Sequence, residues 1–133
     1  MNKVLIIGNE NSCRSIISQA LINTFLDDTK AYSCGVNASG NVDAKTRDLL
    51  VSEGIWSTSY ASKKFNALKG VTFDLVITLS PEAKQQCPSF PEDTPIIHIA
   101  IQNPSNKSSD ALHQIYTNIA QEVLPIIKDH FIP

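Results

Sequence analysis

Cysteine is scarce in this chain, which has only Cys13, Cys34 and Cys87, far apart in the sequence. Three scattered thiols cannot form the disulfide framework of a small secreted domain, and their spacing is not that of zinc ligands. We therefore expect reduced thiols, no metal site and no cofactor, with Cys34 acting as a small buried hydrophobe.

Long hydrophobic runs and runs of like charge are also missing. The N-terminal apolar run, Val4 to Ile7, is too short for the core of a signal peptide, and no later segment could span a bilayer. Eleven basic residues nearly balance thirteen acidic ones, so the net charge of −2 indicates neither a nucleic-acid surface nor a membrane surface. We expect a cytoplasmic protein that binds neither nucleic acid nor membrane.

The chain instead shows strand patterns that alternate with amphipathic helix patterns. Its 133 residues predict one domain, 1–133, with one substantial core. The expected strands lie at 4–7, 31–36, 73–79 and 96–101, the last of them buried. The expected helices lie at about 16–26, at 43–54 and from about 108 onward, with a bend before Pro125. This order predicts an α/β fold in three layers, a parallel sheet sandwiched between helices.

Residues 4–15 are the stretch around which the chain is organised. The apolar run 4–7 reads as a strand, small polar residues follow, and a helical pattern that includes Ile16, Ile17 and Phe25 begins directly after them. A loop at a helix N-terminus presents unpaired N–H groups beside the positive end of the helix dipole. Arg14 adds a permanently charged fork, so the stretch predicts an anion-binding loop.

This loop resembles the phosphate-binding loop of low-molecular-weight protein tyrosine phosphatases and thioredoxin-coupled arsenate reductases, whose pattern is Cys-x5-Arg-Ser. Asn11 to Ser15 match the family's Asn-Ser-Cys-Arg-Ser. The resemblance implies a four-stranded parallel sheet of order 2-1-3-4. It also implies a phosphate, sulfate or arsenate ligand and a phosphoprotein partner. The anion-binding residues it implies are Asn9, Glu10, Asn11, Ser12, Cys13, Arg14 and Ser15.

The positions that carry the family's chemistry are altered. Gly8 stands where the resemblance places the nucleophilic cysteine, and Glu10 stands at a family glycine, where a positive φ is expected. Ser80 replaces one redox cysteine of the arsenate reductases, while Cys87 matches the second. Asn103-Pro104 replaces Asp-Pro, and an amide cannot act as the general acid. No catalytic residue is therefore assigned, and Gly8, Ser80 and Asn103 are degenerate positions.

Side chains outside the loop leave two interpretations open. Trp56 or Tyr60 flanks a substrate ring, as aromatic residues of this region do in the family, or packs on the surface. Lys63, Lys64 and Lys69 rim an anionic site or form a solvated face.

Two functions follow from the loop and its alterations. The first is a binding or regulatory protein that keeps a remnant oxyanion loop without turnover. The alternative is an active phosphatase or arsenate reductase in which Cys13 or water is the nucleophile, or whose parent protein has cysteine at position 8. Cys13 and Cys87 are the candidate thiols. Glu10 either pairs inward with Arg14 or points to solvent.

Overall fold

Four parallel strands form one sheet in a computed structural model that describes residues 1–103 and 108–132. The strands are β1 (Asn2–Gly8), β2 (Thr29–Gly35), β3 (Leu75–Thr78) and β4 (Ile96–His98). Their order across the sheet is β2-β1-β3-β4, and every neighbouring pair is parallel. The predicted α/β fold and its strand order are confirmed. Pro104, which the resemblance aligned with the family's Asp-Pro, lies outside the described residues.

Helices connect and cover these strands. They are α1 (Arg14–Phe25), α2 (Ala44–Ser52), α3 (Pro81–Gln85), α4 (Ser109–Glu122) and α5 (Leu124–His130), with a 3-10 helix at Phe65–Leu68. The predicted bend near Pro125 is present as a break at Val123, because proline at the second position of α5 cannot donate a backbone hydrogen bond to α4. No helix within residues 1–103 and 108–132 is long and apolar enough to cross a membrane.

The apolar residues of β1 pack on both faces of the sheet. Val4 and Ile6 belong to the larger core cluster, which includes residues of α1, α2, α4 and α5. Leu5 and Ile7 belong to a smaller cluster on the other face, together with Ala83 of α3. Successive side chains of a strand point to opposite faces, so a continuous apolar run is what a strand between two helix layers requires.

Two sequence expectations are corrected, and one helix was not expected. The last strand was expected to be buried over 96–101, but β4 has only three residues and Ile96 is half exposed, because β4 is the edge of the sheet. Phe25 was included in the apolar helical pattern after the loop, but it is 57% exposed at the end of α1, whereas Ile16 and Ile17 are buried. The helix α3 was not predicted, because five residues are too few to show a helical period.

Candidate anion-binding site

The loop between β1 and α1 lies at the carboxyl end of the sheet, where open α/β sheets place their ligands. Segment 36–39, which follows β2, holds this loop through backbone hydrogen bonds. The N–H groups of Val36 and Asn37 donate to the carbonyls of Gly8 and Asn9 at 3.1 and 2.8 Å. The loop is therefore part of the hydrogen-bonded scaffold.

Gly35 is the residue that allows this close approach. A Cβ at position 35 would lie 2.6 Å from the carbonyl oxygen of Asn9 and 2.9 Å from the backbone nitrogen of Asn11. Real Cβ atoms do not approach backbone atoms so closely. Any side chain here would push the loop away from β2, so Gly35 sets the position of the loop.

Asn11 fixes the shape of the loop from within. Its φ of 53° lies in the left-handed region, and its side chain is buried. The amide Nδ2 donates to Ser15 Oγ at 2.8 Å, while Oδ1 accepts from the backbone N–H of Lys63 at 2.9 Å. The positive φ was expected at Glu10, and that expectation is wrong: the turn is made at Asn11, a residue type that tolerates this conformation.

We expect Asn11→Ala to destabilise the protein by about 2 to 4 kcal/mol, because it removes two buried hydrogen bonds and leaves a β-carbon at positive φ. Asn11→Gly removes the same bonds but relieves the backbone strain, so it is the matched control and we expect it to be about 1 kcal/mol more stable than Asn11→Ala. Urea unfolding measures both free energies. Equal stabilities would show that the left-handed backbone carries no cost in this loop.

Residues 8–15, which we call the cradle, surround a cavity of about 70 Å³ together with Asn103. The backbone N–H groups of Glu10, Asn11 and Ser12 donate to no other described residue. Unpaired N–H groups ahead of a helix N-terminus attract anions, since they supply both hydrogen bonds and a positive potential. The cradle thus has the size and polarity of a site for one tetrahedral oxyanion.

Arg14 is the cation of the cradle. Its Nη1 donates to the carbonyl oxygen of Ile101 at 2.9 Å, which ties the guanidinium to the chain beyond β4. Burial lowers the pKa of Arg14, while the charges of Cys13, Glu82 and Glu10 raise it. An arginine pKa is so high that the side chain remains charged at neutral pH.

Glu10 points to solvent. Its side chain is exposed, and no ion pair joins it to Arg14, although the structure describes both residues. Of the two alternatives from the sequence, the structure shows the outward one. The cradle is therefore not closed by its own carboxylate.

Ser15 occupies the floor of the cradle beside Gly8. A Cβ at position 8 would lie 3.0 Å from Ser15 Oγ, and Ser15 is only 1% exposed. Its hydroxyl oxygen accepts from Asn11, and no described group accepts its proton. The proton of Ser15 is thus available to an acceptor in the cavity that this residue lines.

The two candidate thiols lie in different surroundings. Cys13 is 6% exposed and belongs to the larger core cluster, but it also lines the cradle, and its charge interacts with that of Arg14. Cys87 packs against the smaller cluster, and burial raises the pKa of its thiol. Only the thiolate is a strong nucleophile, so these surroundings oppose a catalytic role for Cys87, whereas Cys13 is the thiol that a kinetic test must address.

The structure brings Asn103 to the cradle but not Ser80. Asn103 borders the cavity and is exposed. Ser80 is fully buried at the end of β3, where its Oγ accepts from the N–H of Ala83 at 3.1 Å and caps α3. Ser80 therefore has a structural role as a helix cap.

Neither the two aromatic residues nor the lysines line the cradle. Trp56 and Tyr60 contact each other edge to face at 5.7 Å and pack on the larger core cluster. Lys63 Nζ donates to two backbone carbonyls, while Lys64 and Lys69 are exposed elsewhere. Within residues 1–103 and 108–132, no group of three His, Cys, Asp or Glu side chains could hold a metal ion.

Known proteins are similar to this chain in sequence. A model of the family described as low molecular weight phosphotyrosine protein phosphatase matches residues 3–129. An arsenate reductase of Bacillus cereus strain G9842 is 29% identical over 114 residues, which cover 85% of this chain and 84% of the relative. The low molecular weight protein-tyrosine-phosphatase Etp of Escherichia coli K12 is 25% identical over 126 residues, with coverages of 86% and 85%.

The fold is likewise that of a solved enzyme. The crystal structure of arsenate reductase from Archaeoglobus fulgidus DSM 4304 superposes with a TM-score of 0.79 at 26% sequence identity. The superposition covers 94% of this chain and 98% of the archaeal one.

Proposed function

Because this chain belongs to the low molecular weight phosphotyrosine protein phosphatase family, we propose that it binds a phosphate-like oxyanion in the cradle without catalysing the family's covalent reaction. The observation that carries this proposal is Gly8. It lies at the floor of an otherwise complete cradle and has no side chain that could attack a bound oxyanion. The protein then acts as a binding or regulatory member of a family of phosphatases and arsenate reductases.

Three kinds of group support anion binding. The N–H groups of Glu10, Asn11 and Ser12 are available at the N-terminal end of α1, and Ser15 has a proton to donate. Arg14 supplies the positive charge. Phosphate, sulfate and arsenate are all tetrahedral oxyanions, so each can use these donors, and a phosphorylated protein could present the same group.

The residues needed for nucleophilic attack, for protonation of the leaving group and for the thioredoxin-linked disulfide are each missing or engaged elsewhere. Cys87 packs against the smaller cluster and does not line the cradle, and Cys13 is almost fully buried five residues after position 8, so neither thiol stands where the family's nucleophile does. The amide of Asn103 cannot protonate a leaving oxygen. Ser80 caps α3 and has no thiol for the disulfide that thioredoxin would reduce.

We expect the purified protein to show no stoichiometric burst with an aryl phosphate and no thioredoxin-coupled reduction of arsenate. Hydrolysis assisted by the loop alone would exceed the rate in water by about 10³- to 10⁴-fold. Rapid-quench kinetics with p-nitrophenyl phosphate measure the burst, and Cys13→Ser is the matched variant. A burst in the wild type that disappears in Cys13→Ser would establish Cys13 as the nucleophile and overturn the proposal.

A further inference from the structure

A second, larger cleft lies directly beside the cradle. Its volume is about 480 Å³, and it shares Asn9, Arg14 and Asn103 with the cradle cavity. Its lining also includes Leu79 after β3, and Pro81 and Glu82 in the first turn of α3, where the charge of Glu82 interacts with that of Arg14. A group attached to an anion in the cradle can therefore extend into this cleft.

The charges around the two cavities do not favour a bare dianion. Glu82 is partly exposed in the wall of the cleft and forms no ion pair with a described residue, and Glu10 borders the cradle. Among residues 1–103 and 108–132, Arg14 is the one cation that lines both cavities, and Lys63 Nζ is held elsewhere by the carbonyls of Ser33 and Ala61. Within the described lining, two carboxylates against one guanidinium leave a net charge of about −1, which repels a dianion.

We propose that the ligand is a phosphate monoester that carries an ammonium group, with the phosphate in the cradle and the ammonium group against Glu82. This inference rests on the anion-binding function proposed above and names the ligand class for that site. The phosphate uses the N–H groups of Glu10 to Ser12, the proton of Ser15 and the charge of Arg14. The ammonium group neutralises a carboxylate that has no ion-pair partner among the described residues.

The size of each cavity supports this division of the ligand. About 70 Å³ accommodates a tetrahedral ion and little more, whereas the adjoining 480 Å³ accommodates several further atoms. Arg14 lies between the two cavities and holds its place through Ile101, so it can contact the phosphate without closing the cleft. A ligand with both charges thus meets a complementary charge in each cavity.

Calorimetry with two probes that differ only in the ammonium group tests the inference. We expect O-phosphoethanolamine to bind at least about tenfold more tightly than ethyl phosphate at pH 8 and constant ionic strength, a difference of about 1.4 kcal/mol. Glu82→Gln should reduce this preference to about twofold without weakening the binding of inorganic phosphate. Glu92→Gln is the matched control, because Glu92 is exposed before β4, at the opposite end of the sheet, and its removal should leave the preference unchanged.

The possible outcomes separate this inference from the function on which it rests. Equal affinity for the two probes, with inorganic phosphate still bound through Arg14, overturns the inference alone. A preference that persists in Glu82→Gln overturns the assignment of Glu82. If the wild type binds neither probe and no inorganic phosphate, both proposals are wrong.

The same ligand chemistry could come from a small molecule or from a protein. A phosphoserine peptide with a neighbouring lysine, compared with the same peptide carrying alanine, distinguishes these sources. A lysine-dependent gain that is lost in Glu82→Gln supports the inference with a phosphoprotein as the source. A gain confined to O-phosphoethanolamine supports it with a small amino-alkyl phosphate as the source.

Discussion

Gly8→Cys combined with Asn103→Asp should give the largest gain in phosphatase activity that two substitutions can produce in this chain. The cysteine restores a nucleophile, whose loss commonly costs up to about 10⁶-fold in turnover, and the aspartate restores a general acid, worth about 10² to 10⁴-fold. The cysteine nucleophile and the aspartic acid act in the same displacement reaction at phosphorus, so each raises the rate of the same step. We therefore expect the double variant to exceed Gly8→Cys by about 10²-fold or more in kcat for an aryl phosphate.

Ser15 limits how easily the cysteine is accommodated. A Cβ at position 8 would lie 3.0 Å from Ser15 Oγ and 3.2 Å from Ser15 Cβ, so the neighbour must move by a few tenths of an ångström. Such overpacking costs roughly 1 to 3 kcal/mol of folding free energy. Gly8→Ala is the matched control, because it introduces the same Cβ without a thiol and should lose stability without gaining turnover. Equal rates for Gly8→Cys and the double variant would contradict the role assigned to Asn103.

The fold could be predicted where the pattern is local and strong. The run 4–7 is apolar and residues 75–79 are apolar except for Thr78, and all of them are buried, as expected of strands that helices cover on both faces. Asp43 precedes α2 and is a residue type that caps helices, and its carboxylate accepts from the N–H of Thr46. The exposure of β4 and the formation of the short helix α3 depend on which elements pack against them. The hydrophobic periodicity of a segment does not show which other elements pack against it.

Some features of the candidate site could likewise be predicted from the sequence, and others could not. The cradle could be located because its residues are consecutive and follow a strand, so that their backbone groups face one point. The contacts that hold it come from distant positions: Lys63 bonds to Asn11 across 52 residues, and Ile101 bonds to Arg14 across 87. Both contacts use backbone atoms, which every residue type possesses. No side-chain pattern could have revealed them.

The last prediction concerns the opposing charges of the cradle itself. We expect the wild type to bind phosphate or sulfate only at millimolar concentration or more weakly, and Arg14→Ala to abolish binding. One charged hydrogen bond contributes roughly 1.5 to 3 kcal/mol, which corresponds to about 10 to 150-fold in affinity. Arg14 also bonds to Ile101, so Arg14→Lys, which keeps the charge, and a thermal melt of each variant distinguish lost binding from lost structure.

The negative charge of Glu10 lowers the affinity of the cradle for an anion, whereas the positive charge of Arg14 raises it. A carboxylate about 4 Å from a bound anion repels it by roughly 1 kcal/mol in water, and the exposure of Glu10 places it close to that limit. We therefore expect Glu10→Gly to tighten phosphate binding by about fivefold at low salt. Glu10→Gln should have the same effect, because it removes the charge and leaves the size of the side chain nearly unchanged.

Two titrations decide whether charge is the cause. Calorimetry or chemical shifts give the dissociation constants at fixed ionic strength, and a second series at high salt should reduce the gain from both Glu10 variants, because exposed charges are screened. The backbone carbonyl of Glu10 accepts from Ser39 and Ser62 in every variant, so the loop keeps its place. Micromolar binding by the wild type that neither Glu10 variant alters would show that the cradle is a strong anion receptor and that this carboxylate does not oppose it.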